Sequence, residues 1–144
     1  MILPDLNLLL YAYNPHVPQH DRARAWWEEA LNSDELIGLP HEISFGFVRI
    51  ATNQRLGAAA VSLDEARAVV EGWLEAPQAR VLIPSARHFA RVMDLMRQAM
   101  ATGAVLSDAI LASYAIEHRA RLCSNDPDFA RFPGLDWENP LQAS

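Results

Sequence analysis

The sequence predicts an α/β protein with a mainly parallel sheet. Short apolar segments with the character of buried strands alternate with stretches of helical periodicity along the whole chain. The chain has 144 residues, 51% of them hydrophobic and 21% charged, which suits one globular domain with a sizeable core. We therefore predict a single domain over residues 1–144, and we expect the segment from Asn139 to Ser144 to be a loose tail.

The first third of the chain predicts two strands and three helical segments. "MILPD" is typical of a short buried strand that ends at Asp5, and "NLLLYAY" then predicts a helix or turn as far as Asn14. A helix from Asp21 places alanine, leucine and tryptophan on one face. "LIGL" predicts a second strand, ended by Pro40, and because proline is tolerated at a first helical position the next helix is expected to begin there and run to about Asn53.

The remaining elements continue the alternation. After a loop at Gly57, the capping-box pattern "SLDE" opens a helix that Pro77 ends, and "ARVLIP" predicts a strand. The helix from about Arg87 to Met100 is followed by the helix "SDAILASYAIEH", with Ser107 as its predicted cap. "RLCS" and "LDW" predict the last strands. The helix after "ARVLIP" is expected to bury Phe89, Val92, Met93 and Met96.

Composition narrows the class of protein. Eighteen acidic residues against 12 basic ones give a net charge of −6, which is unlike most nucleic-acid binders but compatible with acids that hold metal cations. The single cysteine, Cys123, excludes an internal disulfide and fits a reducing compartment. No apolar run reaches membrane-spanning length, and the apolar start lacks a basic segment and contains Asp5. We predict a cytoplasmic protein without a membrane partner.

Acidic residues follow the ends of the predicted strands. Asp5 ends the first strand, Glu42 lies just past the second, and Asp126 and Asp128 follow "LC". Asp108 lies in the first turn of a helix among apolar neighbours. In open parallel sheets ligands bind beyond the carboxyl ends of the strands, so we expect these acids to converge on one cleft.

Converging carboxylates raise one another's pKa values, and a hard divalent cation such as Mg²⁺ relieves that repulsion. The five histidines are scattered and there is one cysteine, so no zinc-type ligand set competes. A carboxylate site of this kind suits metal-dependent hydrolysis of phosphodiesters.

Each acid also has a structural interpretation. Asp5 can be a buried aspartate bonded to a helix start, and Glu42 and Asp108 can serve the helix dipole from a first turn. Asp126 and Asp128 can be turn or cap residues. The spacing alone leaves convergence open.

Four segments resemble the PIN-domain ribonucleases and, within that family, the VapC toxins of bacterial toxin–antitoxin pairs. Their order covers nearly the whole chain, and the last of them is similar to the actinobacterial branch. The segments are "PDLNLLLYA", Glu42 with "GFVRIATN", "LSDAILASYAIEH" and "CSNDPDFARFPGLDWENPL".

The resemblance implies a three-layer α/β/α sandwich with a mainly parallel sheet. It also implies endoribonuclease activity that depends on Mg²⁺ or Mn²⁺. By position in the motifs, the acidic quartet would be Asp5, Glu42, Asp108 and Asp126, with Asp5 and Asp108 as the first choices for metal ligands.

Three further residues match supporting positions of the family. Asn7 and Ser124 would hold the ligand carboxylates in orientation, and Asp128 would be an accessory acid. Asn7 can equally be a helix cap, and Ser124 a plain turn hydroxyl. Arg49 can contact RNA phosphate, although an ion pair with a neighbouring acid is the simpler interpretation.

The family also implies partners. A VapB-type antitoxin would block the cleft with its C-terminal segment, RNA would be the substrate, and the toxin would form a homodimer. A net charge of −6 suits a basic inhibitory peptide.

Two other functions remain as alternatives. The first is a phosphatase that uses Asp5 as its nucleophile, but such enzymes need a lysine, and every basic residue of this chain other than histidine is arginine. The second is a non-catalytic interaction module on the same fold. Loss of one of the four acids would favour it, whereas all four are present.

Overall fold

The computed structural model describes residues 1–142, and its centre is one sheet of five strands. All neighbouring strands pair in parallel, in the order β3-β2-β1-β4-β5. The predicted parallel sheet is therefore confirmed. The strands are β1 (Ile2–Pro4), β2 (Ile37–Pro40), β3 (Ala79–Leu82), β4 (Arg121–Cys123) and β5 (Trp137–Glu138).

Six α-helices and three short 3₁₀ helices connect the strands in residues 1–142. Every residue of β1 and β2 is buried, which requires helices on both faces of the sheet and gives three layers. The α-helices are α1 (Leu6–Tyr13), α2 (His20–Leu31), α3 (His41–Ala51), α4 (Leu63–Glu75), α5 (His88–Gln98) and α6 (Leu106–His118). The 3₁₀ helices are Gln54–Ala59, Gly103–Val105 and Pro127–Arg131. None of the helices in this part of the chain combines the length and hydrophobicity that a membrane span requires.

Aromatic side chains pack between the helices that follow β1 and β2. Trp27 and Trp73 are each 1% exposed and meet edge to face, with ring centroids 5.7 Å apart. Phe47 lies 4.8 Å from Trp73, also edge to face. These contacts fix α2, α3 and α4 against one another, which sets where the start of α3 lies.

Helix α5 buries a narrower face than its periodicity predicts. Val92 and Leu95, three residues apart, are buried, whereas Phe89 is 75% exposed and Met93 is also exposed. The expectation that Phe89 and Met93 are buried is wrong, because α5 packs on α6 along one side and its second apolar stripe stays uncovered.

The expected cap at Ser107 is wrong, and of the two interpretations of Asn7 the helix cap is excluded. Helix α6 begins at Leu106 after the 3₁₀ turn Gly103–Val105, so Ser107 lies inside its first turn and does not cap it. Helix α1 is capped by Asp5, whose side chain accepts from the Leu6 amide, and Asn7 lies one residue into the helix. Asn7 is thereby free to face the sheet edge.

The C-terminal segment is packed where the structure describes it. Leu141 is buried, its amide bonds Asn139 Oδ1 at 3.0 Å, and its carbonyl accepts from Arg22 at 3.1 Å. Asn139 also donates to Asn125 Oδ1 at 3.2 Å. The expectation of a loose tail is therefore wrong for Asn139 to Gln142, and its last two positions, 143 and 144, lie outside the described residues.

The register brings the ends of the central strands to one edge. Pro4 at the end of β1 pairs with Cys123 at the end of β4, and the Asp5 amide donates to the Cys123 carbonyl at 2.8 Å. Helix α3 starts directly after β2 on the other side of β1. The residues that follow β1, β2 and β4 thus meet at the carboxyl edge of the sheet.

Candidate active site

Asp5 occupies the centre of this edge. Its Oδ1 accepts from the Leu6 amide at 2.7 Å, and its Oδ2 accepts from the Ser124 hydroxyl at 2.6 Å. Burial raises the pKa of Asp5, as does the charge of Asp126 to a smaller extent, while the bonds from Ser124 and Leu6 lower it. Asp5 therefore caps α1, as the structural interpretation expected, and it also presents a desolvated carboxylate at the edge.

Ser124 connects Asp5 to the turn after β4. Its side chain is fully buried, and its hydroxyl oxygen accepts from the Asp126 amide at 3.0 Å. The Asn7 amide nitrogen lies 3.5 Å from the same oxygen, a long contact. Trp137 donates to the Ser124 carbonyl at 3.1 Å, which pins the end of β4. Ser124 therefore sets the distance between two of the predicted acids.

Asp126 and Asp128 lie in the 3₁₀ turn that follows. Asp126 caps this turn by accepting from the Asp128 amide at 2.9 Å. Asp128 is exposed and lies 3.5 Å from Arg131. Both therefore have the turn role that the sequence also allowed, and Asp128 is partly neutralised by its neighbour.

Asp108 lies opposite, in the first turn of α6. Burial, followed by the charges of Asp5, Asp126 and Asp128, raises the pKa of its carboxyl to about 6, against a smaller opposing effect of Arg131. Coulombic effects of this kind require proximity, so Asp108 shares one local field with the acids after β1 and β4.

Glu42 completes the edge from α3. Its side chain is exposed in the first turn, and Oε1 accepts from the Tyr114 hydroxyl at 3.2 Å. Burial, followed by the hydrogen bond to Glu42, raises the pKa of Tyr114 to about 12, so the phenol stays protonated and donates. The sequence interpretation missed Tyr114, although a tyrosine in the middle of an apolar helix generally needs a partner for its hydroxyl.

A cleft of about 180 Å³ lies between these elements, and Asp5, Glu42 and Asp108 all line it. Arg49 is the basic residue of its lining, and among residues 1–142 it forms no ion pair, so the simpler interpretation of Arg49 is wrong. Gly46 lets α3 approach α1 at the floor, because a Cβ there would lie 2.8 Å from a Leu6 methyl carbon. The remaining lining residues are Leu6, Ile43, Ser107, Ile110 and Leu111.

A larger cleft lies elsewhere but has different chemistry. It measures about 560 Å³ between α1, α3 and α4, and its lining is almost wholly apolar, with Glu65 as its carboxylate. The carboxyl groups whose pKa values are raised line the smaller cleft, which is therefore the better candidate for catalysis.

The donor set of the small cleft fits a hard divalent cation in type and charge. It offers carboxylate oxygens with raised pKa values, and the nearby Asn7 Oδ1 is buried without a hydrogen-bond partner in the described chain. The side chains of residues 1–142 nevertheless form no ready-made group of three His, Cys, Asp or Glu ligands. Mg²⁺ usually takes only one or two carboxylates and keeps its waters, so a complete protein cage is not required.

Comparisons with known proteins show which proteins this chain resembles. The family model described as "PIN domain" matches residues 2–135. Ribonuclease VapC33 of Mycobacterium tuberculosis is 42% identical over 142 residues, covering 99% of each chain, and Ribonuclease VapC43 of the same organism is 38% identical over 141 residues, covering 98% of this chain and 96% of its own.

Solved structures show the same fold. The VapBC2 complex of Rickettsia felis, bound to a DNA fragment from its promoter, contains a chain that superposes with a TM-score of 0.69 at 20% identity, covering 96% of this chain and 98% of that one. VapBC-1 of nontypeable Haemophilus influenzae gives 0.65 at 16% identity, covering 99% and 100%. At this identity the likeness supports the three-layer α/β/α fold and nothing finer.

Proposed function

The chain belongs to the PIN domain family, and from that premise we propose that it is a metal-dependent endoribonuclease that acts as the toxin of a toxin–antitoxin pair. The observation that carries the proposal is that the charges of Asp5 and Asp126 act on Asp108, at a cleft that Glu42 also lines. If these acids were held together for packing alone, their mutual repulsion would destabilise the fold and nothing would offset it.

Asp5 and Asp108 are the residues proposed to hold Mg²⁺ or Mn²⁺, with Glu42 and Asp126 completing the site directly or through water. When bound, such an ion activates a water and stabilises charge on the oxygens of a phosphodiester. Ser124 and the Leu6 amide hold Asp5 in orientation, which lowers the cost of arranging it for a ligand. Asn7 supports the same group from α1, and Asp128 adds negative charge at the rim.

Arg49 is proposed to contact a phosphate of the RNA. It lines the acidic cleft without an ion pair in the described chain, so its guanidinium is available to a polyanion. A guanidinium binds phosphate oxygens in a bidentate way, which would hold the RNA beside the carboxylates.

The proposed inhibitor is a VapB-type antitoxin. The structural relatives are parts of VapBC complexes, and this chain has a net charge of −6, with Asp5, Glu42 and Asp108 lining the cleft. A basic segment of the partner would meet complementary charge there. We also propose a homodimer, and a cytoplasmic location where RNA and antitoxin are both present.

The test is cleavage of RNA by purified protein with Mg²⁺ or Mn²⁺, compared with Asp5→Asn and with parent protein in EDTA. We expect Asp5→Asn to lose more than about a hundredfold in rate, because losing a ligand should exceed the ~10–100-fold cost of losing an outer partner. EDTA should stop cleavage. Equal cleavage by Asp5→Asn, or full activity in EDTA, would contradict the proposal.

A further inference from the structure

Tyr114 reaches the candidate site from the interior of the protein. The residue is 2% exposed on α6, and its hydroxyl donates to Glu42 Oε1 at 3.2 Å across 72 positions of sequence. We propose that Tyr114 is a positioning residue that fixes the Glu42 carboxylate toward the cleft. The inference rests on the proposed function and assigns a residue to it that the acidic quartet does not include.

Glu42 needs an external tether more than the other acids of the cleft. Asp5 and Asp126 each follow a strand and each accept a hydrogen bond from a backbone amide one or two residues away. Glu42 instead extends from the first turn of α3 as an exposed side chain. A glutamate that turns freely in solvent loses side-chain entropy when it binds, so a fixed donor lowers that cost.

The Tyr114 ring is itself held firmly. The His88 ring packs against it with a centroid separation of 4.6 Å, and His88 Nδ1 lies 3.1 Å from the hydroxyl of Ser113, the residue before Tyr114. The position of the phenolic oxygen is therefore determined by packing on two helices, α5 and α6. The bond to Glu42 then ties α3 to α6, the helix that carries Asp108.

The bond from Tyr114 also fixes the distance between the carboxylates of Glu42 and Asp108. Glu42 and Asp108 lie on different helices, and both line the cleft. When Tyr114 donates to Glu42, the Glu42 carboxylate is held by the same helix that carries Asp108. The two carboxylates then keep a fixed arrangement in which they can bind an ion or its waters. Without the bond, Glu42 can turn away while the fold is unchanged.

Tyr114→Phe removes the hydroxyl and keeps the ring. Direct Mn²⁺ binding without RNA, followed by electron paramagnetic resonance of free Mn²⁺, should be about tenfold weaker, the low end of the cost of losing an outer partner. Glu42→Asp, which draws the carboxylate out of reach of Tyr114, should weaken binding similarly. Tyr13→Phe is the matched control, because the Tyr13 hydroxyl accepts from Trp73 Nε1 at 3.0 Å away from the acids, and its Mn²⁺ binding should equal that of the parent.

A double variant separates positioning from general destabilisation. If Tyr114 acts through Glu42, adding Tyr114→Phe to Glu42→Gln should leave Mn²⁺ affinity unchanged within about twofold. An equal further loss in that background would overturn the inference, as would parent-like binding by Tyr114→Phe. In those cases Asp5→Asn would still lose Mn²⁺, and the proposed function would stand. If Asp5→Asn bound Mn²⁺ like the parent, both proposals would fail.

Discussion

The two sides of the cleft hold their acids in different ways. On the strand side, Asp5 and Asp126 accept hydrogen bonds from adjacent amides, and the Ser124 hydroxyl joins them. On the helix side, Glu42 depends on the distant Tyr114, and burial together with three carboxylates raises the pKa of Asp108 to about 6. The strand side is therefore built by local backbone geometry, and the helix side by tertiary packing and charge.

This difference indicates on which side of the cleft an ionised acid destabilises the folded protein more. The donors to Asp5 partly offset its burial, whereas the neighbours of Asp108 other than Arg131 oppose its ionisation. A cation that enters the cleft would relieve most repulsion at Asp108. We therefore expect that removing an acidic charge on the helix side raises the free energy of unfolding while it lowers activity. This gain in stability should be clearer on the helix side than on the strand side.

Asp108→Asn should produce the largest effect. Cleavage should fall by more than about a hundredfold, because a proposed ligand is lost and ligand loss exceeds the loss of an outer partner. In EDTA the variant should nevertheless be more stable than the parent at neutral pH. The raised pKa means that the parent loses stability as pH rises from about 4 toward about 6, where folded Asp108 ionises at a cost that the unfolded chain does not bear.

Urea unfolding of both proteins at pH 4 and pH 7 measures this trade. The difference at pH 7 should be about 1 kcal/mol, reduced from the full shift because Asp108 is partly exposed and screened. It should vanish near pH 4. A variant that is less stable than the parent at pH 7 would show that Asp108 has a structural role and would break the comparison.

Ser124→Ala tests the strand side. The change removes the donor to Asp5 and the acceptor for the Asp126 amide, so cleavage should fall about 10–100-fold. The free energy of unfolding should fall by about 1–3 kcal/mol at neutral pH, because a buried acceptor and donor lose their partner. The loss should be smaller in acid, where Asp5 is protonated, since the bond from Ser124 favours the ionised carboxylate. Ser44→Ala, a buried serine on α3, is the matched control. Activity equal to that control would mean that Ser124 is only a turn hydroxyl.

Arg49→Gln should give the smallest effect and concerns substrate binding. The KM for RNA should rise about tenfold with kcat changed less than about twofold, as expected when one charge-assisted contact of about 1.5 kcal/mol is lost. Arg55→Gln removes the same charge from the 3₁₀ helix after α3, away from the lining of the cleft. If both variants raise KM equally, the effect is overall charge and Arg49 has no special contact.

The same difference explains what the sequence could predict. Asp5 and Asp126 follow apolar runs that form adjacent parallel strands, so their place at one edge follows from local pattern and a general rule of parallel sheets. The order of strands and helices follows from alternation in the same way. Ser124 was accessible only through the family resemblance.

Tertiary contacts set the limit of that reasoning. The Tyr114 hydroxyl donates to Glu42, which is 72 residues away in sequence, and Arg22 donates to the Leu141 carbonyl, which is 119 residues away. Neither pairing leaves a periodic signal, so the tether of Glu42 was missed and the packed tail was expected to be loose. Periodicity likewise placed Phe89 on an apolar face without showing that the face is uncovered.

The central claim is that Asp5 and Asp108 share one divalent ion. Anomalous diffraction from crystals soaked in Mn²⁺ tests it most directly. The account predicts a peak in the small cleft, with one oxygen of Asp5 and one of Asp108 within about 2.1 Å, the distance that small octahedral cations require. A peak held by other side chains, or ordered carboxylates at both positions with no peak between them at saturating Mn²⁺, would contradict it.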